Sequence, residues 1–117
     1  MPRLDDRVKD TTTSTGTGDI TLSGTPPTGF KSFNAAFGLN ATFCYVIDDG
    51  AGVWEIGIGY LSNSTTLVRS IFRGSSTGSV INFAAGQKTV FCDALSAYLE
   101  RTQRGRTLMM TTGRFTP

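Results

Sequence analysis

One segment constrains this chain more than any other. Residues 43–47 are apolar without a break, and residues 54–60 alternate strictly. Between them stands Asp48-Asp49-Gly50-Ala51-Gly52, a run of turn-forming residues. A short unbroken apolar run suits a strand covered on both faces, and a period of two suits a strand with unlike faces. The pair therefore predicts a central β-hairpin. In its second strand Trp54, Ile56, Ile58 and Tyr60 point one way, and Glu55, Gly57 and Gly59 point the other. Two glycines on one strand face mark a place where a bulky group approaches closely. An aromatic from a nearby helical turn, or a neighbouring subunit, would meet that need. Trp54 and the phenylalanines Phe30, Phe33, Phe37, Phe43, Phe72, Phe83 and Phe91 are expected in the core, each contributing roughly 2 to 3 kcal/mol on burial.

The rest of the chain follows the same grammar. Residues 7–13 and 19–23 are Thr-rich and flank a small-residue turn, predicting a first hairpin with polar outer faces. Thr25-Pro26-Pro27-Thr28-Gly29 is a stiff loop, because consecutive prolines offer no ladder donors. Phe33-Asn34-Ala35-Ala36-Phe37 predicts one helical turn that docks Phe33 and Phe37 on the sheet and stops at Gly38. Residues 65–73 predict a further strand. Residues 80–83 and 89–95 predict a last hairpin. Strands about ten residues apart, with turn chemistry between them, give an all-β fold: an antiparallel β-sandwich, or a partly open barrel.

At 117 residues the chain suits one domain. Charge divides it. Residues 1–98 carry seven basic and eight acidic side chains, whereas 99–117 carry four arginines against Glu100. The expected organisation is a β domain over 1–98 and a cationic C-terminal arm over 99–117. Residues 96–101 predict a short helix and residues 107–112 a lone strand. A lone strand must pair with a sheet edge, its own or another chain's. Arg104, Arg106, Leu108, Met109, Met110, Arg114 and Phe115 are thus the candidate assembly residues. Their arginines are expected to meet acidic protein surface rather than nucleic acid, which calls for a broader basic face interleaved with aromatics.

Catalytic chemistry finds little to use. The chain has no histidine, which removes His-based triads and His metal ligands. Gly74-Ser75-Ser76-Thr77-Gly78 matches a hydrolase string, but that mechanism needs a strand-to-helix elbow and a histidine. Asp5-Asp6 and Asp48-Asp49 sit at an end and a turn rather than across a cleft. No enzyme activity, cofactor or metal is expected. Cys44 and Cys92 lie in apolar strand-like runs and read as buried free thiols, with a disulfide as the alternative. Arg69 and Arg73 are expected to be structural, one of them pairing with Glu55 or Asp93. No apolar run is long enough to span a membrane.

The ordered set of segments Asp6–Gly24, Gly29-Phe30-Lys31-Ser32-Phe33, Trp54–Gly59, Thr66–Arg69, Ile81-Asn82-Phe83 and Val90-Phe91-Cys92 resembles a small β domain of tailed-bacteriophage virion proteins. That domain often stands in tail fibres or tail-associated proteins. The resemblance implies a structural virion component, assembled in a bacterial cytoplasm, at a tail, neck or fibre attachment. It implies a homo-oligomer, a trimer or a ring, in contact with other tail proteins. A capsid decoration protein and a receptor- or sugar-binding module are the alternatives. The last would expose Trp54 or Tyr60.

Overall fold

The computed structural model describes residues 2–93. Its six strands are β1 (Lys9–Thr12), β2 (Ile20–Thr21), β3 (Phe43–Asp48), β4 (Trp54–Asn63), β5 (Thr66–Ser75) and β6 (Lys88–Phe91), with one helical turn, α1 (Phe33–Phe37). All strand ladders are antiparallel, in one sheet of order β1-β6-β3-β4-β5-β2. The two ends of that order meet. Thr12 bridges Leu22, the Ser23 N–H donates to the Thr11 carbonyl at 2.9 Å, and Thr12 Oγ1 donates to the Thr21 carbonyl at 2.6 Å. The fold is all-β, and of the two expected forms it is the barrel: one sheet nearly closed on itself.

The central hairpin forms as the sequence predicts, with Tyr45 opposite Gly57 and Phe43 opposite Gly59. Asp48 and Asp49 build its turn. Asp48 Oδ1 accepts from the Gly50 N–H, and Asp49 Oδ1 accepts from Ala51 and Val53. α1 also forms as expected. Ser32 caps it by accepting the Ala35 N–H at 3.0 Å, and Gly38 ends it with φ 71°. Phe37 then stacks on Phe43 with ring centroids 4.7 Å apart, Phe33 lies tilted against Phe43 at 5.1 Å, and all three join the core.

Several expectations are corrected. Trp54, expected in the core, lies outside at 38% exposure, because Glu55, Gly57, Gly59 and Leu61 are the residues of β4 that face the barrel interior. Phe30, Phe72 and Phe91 are only partly covered, so the core aromatics are Phe33, Phe37, Phe43, Phe83 and Tyr45. The reason is space. Tyr45, the cross-strand neighbour of Gly57, fills the barrel centre. A Cβ on Gly57 would stand 2.7 Å from the Tyr45 oxygen, and one on Gly59 3.3 Å from its ring. The glycines are demanded by β5 backbone, with the Ile71 carbonyl 2.6 Å from a Gly57 Cβ and the Val68 carbonyl 2.5 Å from a Gly59 Cβ, together with an aromatic supplied by β3 rather than by the helical turn.

The first hairpin does not form a ladder either. β1 and β2 touch at the Thr12–Leu22 bridge, while β2 pairs with β5 through Ile20–Leu67 and Thr21–Thr66. Nor do residues 80–83 pair with β6. Phe83 bridges Gly16, and β6 runs between β1 and β3. Side chains take the place of a ladder there: Ile81 gives its N–H to Glu55 and its carbonyl to Arg69.

Candidate assembly surface

The strongest electrostatic feature lies inside the barrel. Glu55 and Arg69, from paired strands β4 and β5, form an ion pair of 3.0 Å, with side chains 0% and 4% exposed. Such a pair persists only when its other hydrogen-bonding positions are filled. Glu55 Oε1 also accepts the Ile81 N–H at 2.8 Å, and Oε2 accepts the Tyr45 hydroxyl at 2.7 Å. Arg69 donates through Nε to the Gly18 carbonyl, through Nη1 to Glu55 and the Ile81 carbonyl, and through Nη2 to the Gly16 carbonyl. Four of its five N–H groups are therefore engaged. Burial, and then the hydrogen bond to Glu55, push the Tyr45 hydroxyl far above the ordinary tyrosine range. This cluster ties the 16–18 loop, the 80–83 segment, β3, β4 and β5 into one body. Its groups face one another rather than a cleft, so it fixes structure.

A second buried carboxylate closes the seam. Asp10 on β1 accepts the Gly24 N–H at 3.1 Å and the Ser23 hydroxyl, and so clamps the chain that follows β2. Lys88 on β6 is also buried; its Nζ donates to the Ala84 carbonyl at 2.6 Å, and burial holds its pKa below the usual lysine value.

The other polar motifs of the sequence are turns. In Gly74-Ser75-Ser76-Thr77-Gly78, the Ser75 hydroxyl donates to the Ser79 carbonyl, and the Ser76 hydroxyl accepts the Trp54 N–H at 3.3 Å. Asp5 pairs with Lys31 Nζ at 2.9 Å on the surface, which lowers its pKa. Cys44 is buried and Cys92 half-buried, and no disulfide joins them. Burial pushes the Cys92 thiol up. The candidate arm residues Arg104, Arg106, Leu108, Met109, Met110, Arg114 and Phe115, the predicted 96–101 helix and 107–112 strand, and the boundary at residue 98 lie outside the described residues.

The outer wall carries the features suited to contact. β5 is ten residues long, yet β2 covers only Thr66 and Leu67. From Ser70 to Ser75 its second edge has no strand beside it among the described residues. Ile71 on this stretch is 45% exposed, and Trp54 stands on the neighbouring strand. A bare edge next to exposed apolar side chains is a template for strand addition. On the far side of the barrel, an open groove of about 430 Å³ lies between Phe30, Phe91, Arg7, Lys9, Thr89 and Asp48. Phe30 is held there by two cations, with Arg7 Cζ at 4.0 Å and Lys9 Nζ at 4.8 Å from its ring centre. Arg7 takes a left-handed backbone, φ 60°, and its carbonyl accepts the Lys31 N–H at 2.7 Å. Sequence reasoning put Phe30 in the core; the chain instead turns between Pro27 and Phe30, through Gly29 at φ 88°, and Lys31 pairs beside Val8, which leaves Phe30 at the surface next to Arg7 and Lys9.

Comparison with protein-family models, with curated proteins and with solved structures finds no match to this chain. Among the described residues, no helix is long and apolar enough to cross a membrane.

Proposed function

We propose that this chain is a structural component of a tailed-bacteriophage particle, acting through protein–protein assembly as a tail or neck connector or a fibre-attachment protein. The observation that carries the reading is the β5 edge: from Ser70 to Ser75 it has no strand beside it among the described residues and Ile71 on it is exposed, in a barrel whose internal charges are spent on its own stability. A surface of that kind accepts a strand from another subunit. The resemblance to small virion β domains supports it. Segments of the chain that carry it, around Gly16, Glu55, Arg69 and Ile81, meet at the buried cluster, so they make one structural unit. In this reading the arm, with Leu108 and Met110, supplies the strand to a neighbour, and the assembly is a trimer or a ring.

Quantitative mass spectrometry of purified particles tests the proposal by counting copies of this chain relative to the portal. A few to a few dozen supports a tail or neck position. Hundreds would move it to capsid decoration, and absence would end the structural reading. One observation favours a second reading. Trp54 is exposed, as a receptor- or sugar-binding module requires, and the Phe30–Phe91 groove joins aromatic and polar groups. Glycan-dependent change in Trp54 emission would support that reading over assembly.

A further inference from the structure

Where β3 ends and β6 begins, the rim of the barrel carries a pocket of about 300 Å³, lined in part by Val53 and Phe83. Two charged side chains, Lys88 and Asp49, also line it, and it shares no residue with the groove at Phe30. The mouths of β-barrels are common seats for ligands, and this volume suits a small one.

Lys88 is 3% exposed and lies on the buried face of β6 with Val90. Its ammonium offers three N–H donors. Among the described residues only the Ala84 carbonyl takes one, at 2.6 Å. No carboxylate touches it, since the ion pairs among the described residues are Lys31–Asp5 and Arg69–Glu55. Two donors of a buried cation are therefore left over, and such groups are costly unless matched. Asp49 supplies the opposite charge: burial lowers the Lys88 pKa, and Asp49 stands close enough to oppose that shift. Asp49 Oδ1 is taken by the Ala51 and Val53 N–H groups, whereas its Oδ2 accepts from no described residue.

A spare cationic donor and a spare anionic acceptor, on one pocket but not in contact, define what fits between them. A carboxylate or phosphate would satisfy Lys88 and be repelled by Asp49; an amine would do the reverse. A hydroxyl accepts from the ammonium and donates its own hydrogen to the carboxylate. Asn82 and Gln87, both exposed, add carboxamides to the lining, each able to donate and to accept. That set matches neighbouring hydroxyls on an uncharged molecule. We propose that this rim pocket binds a polyhydroxylated ligand, a single sugar unit, with one hydroxyl held between Lys88 Nζ and Asp49 Oδ2. The site goes beyond the assembly reading and uses neither the β5 edge nor Trp54.

The test is a ¹H–¹⁵N NMR titration of the full chain with glucose, galactose, mannose and N-acetylglucosamine at millimolar concentrations and above. At least one sugar should move the Val53, Gln87 and Lys88 amide signals saturably. Lys88→Met and Asp49→Asn should each weaken that binding on the order of tenfold or more, as loss of a hydrogen bond to a charged group does. Asparagine keeps an oxygen for the Ala51 and Val53 N–H groups, so this variant carries the test even where Lys88→Met fails to fold. Gln87→Ala, at an exposed position, should weaken binding by a smaller factor. Three results overturn the proposal. No saturable shift with any sugar means that the pocket holds water only. Shifts confined to Trp54 or to the Phe30–Phe91 groove, unchanged in Asp49→Asn, place the sugar elsewhere. Saturable shifts at Lys88 with acetate or inorganic phosphate, and none with the sugars, make it an anion site.

Discussion

Replacing Arg69 with methionine removes the cation of the buried pair and leaves the Glu55 carboxylate in place. Three carbonyls, of Gly16, Gly18 and Ile81, lose their donor at the same time. Glu55 keeps the Tyr45 hydroxyl and the Ile81 N–H, which soften the loss without cancelling the charge. Breaking a buried pair from one side costs about 3 to 5 kcal/mol. A domain of this size holds roughly 5 to 15 kcal/mol in all, so Arg69→Met should leave it marginal. Glu55→Gln should cost less, because an amide oxygen still accepts from Ile81 and the Arg69 guanidinium keeps its three carbonyls. The double variant should lose less than the sum of the two singles, since neither charge then remains to be orphaned. Urea unfolding followed by Trp54 fluorescence supplies all four corners of the cycle. A cost below about 1 kcal/mol for Arg69→Met, with no coupling, is the signature of a solvated pair and would refute the enclosed cluster.

Gly57→Ala should destabilise by about 1 to 3 kcal/mol or more, because its Cβ would stand 2.6 Å from the Ile71 carbonyl oxygen, which cannot swing away; thermal denaturation measures it. Above pH about 10 the fold should weaken: Tyr45 stays protonated in the barrel but ionises from its ordinary value of 10.0 once unfolded, so stability present below that pH is lost above it. Tyr45→Phe should flatten that alkaline slope while lowering stability at neutral pH, and urea midpoints across pH 7 to 11 check both. Trp54, the one tryptophan, should be quenched by iodide in the isolated protein and protected in any assembly that uses the β5 edge. Ser32→Ala should cost about 1 kcal/mol by uncapping α1, read as a shift in the urea midpoint.

Local chemistry was the legible part of this sequence. The Asp48-Asp49-Gly50 turn, the Ser32–Gly38 helical turn and the central hairpin each depend on neighbours in the chain, and each lies where the residues put it. Position across the barrel was not legible. Residues 80–83 look like a strand by composition, yet their backbone is claimed by side chains from β4 and β5, which no local pattern announces. The place of Trp54 was misread for a related reason. Alternation reveals that a strand has two faces; apolarity nominates the inner one, and here the filler comes from another strand. The pairing of Arg69 with Glu55 was one of two options on charge alone; register sets Arg69 opposite Gly59 and Glu55 opposite Ser75, so the contact depends on a long side chain reaching along the barrel interior, which charge does not announce. Phe30 was misplaced because its burial depends on where the turn after Pro27 delivers it, beside Arg7 and Lys9.

The polar inner face of β4 bears on how the chain avoids a wrong answer. Sliding β4 by one residue would turn Trp54, Ile56, Ile58 and Tyr60 inward and send Glu55 to water. By hydrophobicity alone the slipped arrangement is a serious competitor. It fails because Tyr45 needs the hollow above Gly57 and Gly59, and because Arg69 would then be stranded without its carboxylate. The ion pair thus acts as a proofreader of strand alignment. Variants that replace it with well-packed apolar residues should be judged by which side of β4 is wet as well as by their melting temperature.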